Sequence, residues 1–404
     1  MSILPHGSKG LTAADTPESF CPEKRMKESG SAHSPWFQVK EAREIPSPAL
    51  LVYPERVERN LRQMLTIAGG PERLRPHIKT CKMREVVELE LSLGITKFKC
   101  ATIAEAEMAA AAGAPDLLLA YQPVGPAVHR VVKLVTRFPN TRFSVTCDAE
   151  QPIRALAAAL VAESSKTIPG MPVLLDIDIG QHRTGLPVGP QAVELYILLD
   201  SLPGLTPGGL HAYDGHISDG DPMVRAKACE TAFVPVTGLR AQLIETGRPV
   251  PRVVAGGTPT FPIHARRGDV ECSPGTCVFW DAGYATKLRD LPFDHAALVL
   301  TRVISKPCPT RLCLDLGHKA IASEMPPPRV QFPELPDARA VLHSEEHLVI
   351  ETDRAASFKP GDCLYGIPWH ICPTVALHAD ATVIEDGEVV GHWKVAARDR
   401  CLTI

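Results

Sequence analysis

Several things are missing from this 404-residue chain, and each absence removes a class of protein. There is no excess of one charge: 43 Lys and Arg stand against 46 Asp and Glu, so no strong field draws the chain to nucleic acid or a membrane surface. No apolar run reaches bilayer length. The N-terminal MSILPHGSKGLTAADTPESF lacks a charged start followed by an apolar core, so no secretion signal is expected. The 12 cysteines are scattered without a single CxxC pair, which fits a reducing cytoplasm better than a disulfide framework. No GxGxxG follows an early strand, which weakens a dinucleotide-binding reading. What remains is 45% hydrophobic and 22% charged, an ordinary globular balance with length for one large domain and a smaller one.

Residues 1–35 are rich in Pro, Gly, Ser and charge and are expected to be a disordered leader. Short apolar runs then alternate with helical patterns. Strands are expected at 48–53 (PALLVY), 74–79, 98–101, 117–121, 142–146, 173–179, 208–213, 253–255 and 277–280. Helical periodicity separates most of them, at 55–68, 85–93, 104–112, 126–137, 150–162, 191–199 and 223–247. Eight strands counted from residue 74 predict an α/β fold, a TIM-type (β/α)8 barrel, with 48–53 surplus to it. Beyond residue 280 helical patterns thin out. Short β-like runs at 297–305, 312–315, 347–351, 375–379, 381–384 and 395–397 predict a mostly-β second domain. The expected division is a strand segment at 36–56 joining the β domain, a barrel at 57–289, and a C-terminal β domain at 290–404.

Three stretches carry chemistry. RPHIKTCK places Lys79 at the end of the first barrel strand, either as solvent-facing decoration or as an amine that can form a Schiff base. In a strand, His77, Lys79 and Cys81 share one face and Thr80 and Lys82 the other. Lys82 reads as a surface residue. Loops at the ends of the last two strands carry Gly256, Gly257 and Thr258, and Gly275 and Thr276. Their bare N–H groups and hydroxyls can approach an anion, though each alone reads first as an ordinary glycine turn. A lysine facing two such loops suggests pyridoxal 5′-phosphate (PLP): aldehyde on the amine, phosphate in the loops. In PWHIC, His370 and Cys372 at i and i+2 lie on one side of an extended segment, where they can share a metal or be a core cysteine and an unrelated histidine. A thiolate ligand favours zinc. His211, His216, His318 and His347 have no such paired spacing and read as structural or hydrogen-bonding.

The ordered set RPHIKT, KCATIAEAE, DIDIGQHRTG, HAYDGH, AGGTP, SPGTCVFWD and PWHIC resembles the D-threonine aldolase and D-serine dehydratase family, fold-type III PLP enzymes similar to alanine racemase. The resemblance covers residues 40–404. It implies that Lys79 carries the cofactor and exchanges the Cα proton, and that Gly256, Gly257, Thr258, Gly275 and Thr276 hold the phosphate. Arg183, Tyr213 and Gln122 would approach the cofactor. His370 and Cys372 would bind a divalent metal that contacts the substrate 3-hydroxyl, zinc favoured over manganese or magnesium. The 48–53 strand would join the β domain, and the chain would form a homodimer. The implied activity is lysis of D-3-hydroxy amino acids, aldolase-like cleavage to glycine and an aldehyde. The alternative is a D-serine dehydratase giving ammonia and a 2-oxo acid, which the His-x-Cys spacing resembles. A racemase and a non-catalytic PLP-binding protein rank below both. Ser273 stands where alanine racemases carry an arginine facing the ring nitrogen, and Cys81 where many relatives have histidine.

Overall fold

The computed structural model describes residues 35–163 and 170–404, so all but the last residue of the expected leader lies outside the described residues. Residues from Phe37 to Ile404 form one compact unit. After strand β1 (Ala49–Val52) come β2 (Lys97–Cys100), β3 (Asp116–Leu119), β4 (Arg142–Cys147), β5 (Met171–Ile177), β6 (Leu205–Ala212), β7 (Val253–Ala255) and β8 (Val270–Cys272). Strands β2 to β8 pair in sequence order, all parallel.

The intervening helices follow from their sequences. Pro54–Ala68 buries Val57, Leu61, Met64 and Ala68, one stripe at helical spacing, and stops at Gly69 in the left-handed region. Pro126–Arg137 opens with proline in its first turn, where the missing N–H costs nothing. Inside the ring Leu118, Leu174 and Val254 touch one another, a layer drawn from the alternate strands β3, β5 and β7.

The expected first barrel strand makes no regular ladder, because Pro76 has no N–H to donate. It still closes the ring. The Arg75 and His77 N–H groups donate to Cys272 and Pro274 (both 2.8 Å), while Ile78 donates to Lys99 (2.9 Å) and Lys99 to Pro76 (2.8 Å). The expected last strand, 277–280, is instead a 3-10 turn, Thr276–Val278, and β8 lies just before it.

The C-terminal part contributes β9 (Ala297–Cys308), β10 (Arg311–Leu314), β11 (Val330–Gln331), β12 (Arg339–His343), β13 (Leu348–Glu351), β14 (Cys363–Pro368), β15 (Asp380–Glu385) and β16 (Glu388–Lys394). They form a nine-stranded sheet whose main path runs β12-β13-β10-β9-β1-β15-β16, with β14 also on β9. The surplus PALLVY strand sits in its middle, antiparallel to β9 and parallel to β15, with Leu50, Leu51 and Val52 fully buried. Two expected strands are corrected. The 375–379 run falls largely within helix Ile371–Leu377, and 395–397 runs into a 3-10 turn at Ala396–Arg398. Short apolar runs of that length cannot be told apart by periodicity.

Candidate active site

Lys79 lies in a turn rather than at the end of a regular strand, half-buried at the ring's closure point. Its Nζ stands 5.8 Å from the Tyr213 ring centroid. Tyr213 follows the end of β6, and the Arg183 guanidinium lies 4.9 Å over the same ring. These three residues line a cavity of about 560 Å³ with Gln122, His77, Lys99, Asp176 and His211. That volume suits a cofactor with a small substrate. Gln122 has its amide oxygen committed: it accepts from the Asp148 and Ala149 N–H groups (2.9 and 3.2 Å) at the start of helix Glu150–Glu163.

The two glycine loops meet beside Tyr213. Gly256 has φ +79, and a Cβ there would lie 2.6 Å from the His264 ring, so only glycine fits. A Cβ on Gly257 would lie 3.0 Å from Tyr213. The Thr258 hydroxyl accepts from the Gly275 and Thr276 N–H groups (3.2 and 3.1 Å), lacing the β7 loop to the β8 loop and leaving its own proton for an anion.

His370 and Cys372 are not on an extended segment, as the spacing had suggested. His370 caps helix Ile371–Leu377 and Cys372 is its second residue. Their side chains nonetheless act on each other electrostatically. Burial opposes charge on both. The pair overcomes it: the imidazole is raised to about 9, chiefly by Cys372 and then Glu324, and the thiol is pulled below its ordinary value by His370, Lys79 and Thr80. The Cys372 Sγ lies 3.1 Å from Thr80 Oγ1 and 3.6 Å from Thr276 Oγ1. One thiol from the β domain thus reaches both the residue after Lys79 and the second glycine loop.

Several residues escaped the sequence reading. Glu324 accepts from His370 Nδ1. Asp281 caps helix Ala282–Lys287 through the Tyr284 N–H (2.9 Å) and also accepts the Ile371 N–H (3.1 Å), fixing the start of the His370–Cys372 helix; burial pushes its carboxyl up to about 6. Its place before a short helix was the available signal. His211 does hydrogen-bond, as expected, but inside the cavity: its Nδ1 meets Asp176 Oδ1 at 2.6 Å. Burial lowers the imidazole's pKa against the pull of Asp176. Its buried Nε2 has no hydrogen-bond partner, which suits a group arriving from the cavity. Lys82 is no surface residue: its Nζ pairs with the fully buried Glu105 and donates to the Ala397 carbonyl. Cys81 turns into the core, and the Ser273 hydroxyl donates to the Arg75 carbonyl (2.8 Å).

Behind the first loop Asp214, Cys229 and His264 converge, all buried. His264 Nε2 already meets Asp214 Oδ2 at 2.8 Å, and its buried Nδ1 has no partner. A metal on Nε2 would therefore leave an Nδ1–H without an acceptor. The cluster is a brace: Thr260 Oγ1 donates to Asp214 (2.7 Å) and accepts from the Gly257 N–H (3.2 Å).

Comparison with known proteins fits this geometry. Residues 52–282 match the alanine racemase N-terminal domain model, and residues 296–384 a putative serine dehydratase domain. A D-threonine aldolase from Arthrobacter sp is 30% identical over 360 residues, covering 88% of this chain and 93% of that protein. The chain belongs to the PLP-dependent, fold-type III D-threonine aldolase and D-serine dehydratase family. As a member it is a PLP-dependent lyase. A 3-hydroxy-D-aspartate aldolase of Paracoccus denitrificans is 29% identical over 372 residues, covering 88% of this chain and 93% of its own. A D-threo-3-hydroxyaspartate dehydratase of Delftia sp. is 27% identical over 375 residues, covering 85% and 96%. The solved D-threonine aldolase of Filomicrobium marinum superposes with a TM-score of 0.82 at 28% identity, covering 88% of this chain and 96% of that one. A cysteine-to-alanine variant of a D-threo-3-hydroxyaspartate dehydratase, solved in the metal-free form, superposes at 0.73 and 23% identity, covering 87% and 98%.

Proposed function

We propose that this protein is a PLP- and metal-dependent lyase that cleaves D-3-hydroxy amino acids to glycine and an aldehyde. The observation that carries the reading is the meeting of Lys79, the laced glycine loops and the His370–Cys372 pair around Thr80 and Thr276. The donor set fits PLP: an amine at the ring's closure turn, a left-handed glycine turn with free hydroxyl, and an unpartnered buried His211 Nε2. The imidazole–thiol pair fits a divalent metal, zinc favoured because one ligand is a thiolate. When bound, PLP supplies a sink for the electron pair that develops on Cα, and the metal polarises the 3-hydroxyl.

The residues of the chain do the rest. Lys79 would hold the cofactor through its amine until the substrate amine displaces it. His370 and Cys372 would hold the metal that acts on the 3-hydroxyl. The freed Lys79 amine would take the proton of that hydroxyl as the Cα–Cβ bond breaks and, as an ammonium, return it to the electron pair left on Cα. Gly256, Gly257, Thr258, Gly275 and Thr276 anchor the phosphate end, while Arg183, Tyr213 and Gln122 form the cavity wall.

A dehydratase is the second reading. The thiolate ligand favours it, as does the metal-free cysteine variant of a dehydratase among the solved relatives. Here the Lys79 amine would take the Cα proton and the 3-hydroxyl would leave as hydroxide. A panel of D-3-hydroxy amino acids separates the two, since the aldolase releases glycine and aldehyde, the dehydratase ammonia and a 2-oxo acid. D/L interconversion without either product would support a racemase instead. The unpaired thiols, eleven among the described residues, support a cytoplasmic setting, and the family resemblance a homodimer that sedimentation would reveal. No helix among the described residues is long and apolar enough to cross a membrane.

A further inference from the structure

The cavity holds a second amine that the chemistry above leaves unused. Lys99, on β2, is only 2% exposed, and its Nζ lies 5.6 Å from the Tyr213 ring, beside that of Lys79. Among the described residues its Nζ makes no hydrogen bond and no ion pair. The groups that face it offer little relief. Lys79 and Arg75 repel it, and His77, bridged to it across the ring closure, is uncharged through burial. Asp176 and Asp214 attract it, but Asp176 is engaged by His211 and Asp214 by Thr260 and His264. Burial, and then Lys79, lower its pKa to about 7. An ammonium on a residue only 2% exposed, facing the cavity with no free counter-charge, is costly, so the apo fold carries a strained charge that an anionic occupant of the cavity would relieve.

We propose that Lys99 is a positioning residue for the cofactor, its amine serving as counter-charge to the ring-side anion of PLP, the phenolate oxygen, while the glycine loops take the phosphate. The inference rests on the PLP reading. It assigns Lys99 a function that opposes stability: the charge that destabilises the empty protein holds the loaded one.

Titration of PLP into apoprotein, followed by visible absorbance, tests it together with the apoprotein's Tm. Lys99→Met keeps the length of the side chain and removes the charge. It should bind PLP about tenfold to a hundredfold more weakly, the loss of one charge-assisted hydrogen bond, while its apo Tm shifts upward. Lys99→Gln should change in the same direction on both counts. Inorganic phosphate should compete with PLP for variant and wild type at the same concentrations. Variants that bind PLP as wild type does, or apo Tm values that fall, overturn the assignment, and weakened phosphate competition would place Lys99 at the wrong end of the cofactor. Wild-type protein that takes up no PLP overturns the cofactor reading itself and this inference with it.

Discussion

Two lysines three residues apart, Lys79 and Lys82, have opposite roles, and the structure reverses the basis for telling them apart. Neither is surface decoration. Lys79 faces the cavity; Lys82 is spent on Glu105, a carboxylate with no exposure. Lys79→Ala should lose the visible absorbance of bound PLP with little change in melting. Lys82→Ala should keep the absorbance in whatever protein folds but destabilise the chain by about 3–5 kcal/mol, because Glu105 is left buried without its counter-charge. Absorbance and thermal melting on both variants check this, and exchanged phenotypes would show the register to be wrong. The sequence showed the lysines and their spacing. It could not show Glu105 beneath one of them, since a helix and a strand separate the pair from each other's view. Asp176 and His211 meet across neighbouring strands for the same reason: strand pairing, not spacing, brought them together.

At the scale of elements, repetition was legible and irregularity was not. Alternating apolar and helical runs gave the parallel strands and the β domain, and PALLVY found its place between β9 and β15. The first stave of the ring escaped as a regular strand because Pro76 interrupts its ladder, and the His370–Cys372 segment because a short apolar run after His370 serves a helix start as well as a strand. That helix start has a consequence. Asp281 accepts the Ile371 N–H, so the carboxylate at the barrel's end sets where His370 and Cys372 point. Asp281→Ala should weaken zinc binding by about 10- to 100-fold, as loss of supporting hydrogen bonds around metal ligands does. Zinc titration against a chromogenic chelator measures it; unchanged affinity would mean that the pair is positioned without Asp281.

At the scale of the whole molecule, the compact unit tolerates buried ionisable groups away from the site as well as in it. Glu90, in helix Arg84–Ser92, is 2% exposed, and one of its oxygens has no hydrogen-bond partner. Burial raises its carboxyl from 4.5 to about 8. The folded state therefore holds a proton that the unfolded chain releases between those values, and this group's contribution to stability is present below pH 4.5 and lost as pH rises toward 8. Glu90→Gln should melt higher than wild type at pH 8 and close to it at pH 4.5; an equal difference at both would contradict the account. The central claim, that Lys79 and the His370–Cys372 metal work on one substrate, has a direct measurement. D-Threonine turnover by the PLP-loaded protein is followed as acetaldehyde release before chelation, after it, and after zinc is returned. Release should vanish with the metal and come back with zinc, and Cys372→Ala should not recover. Acetaldehyde release that continues undiminished in protein shown to be metal-free would contradict it.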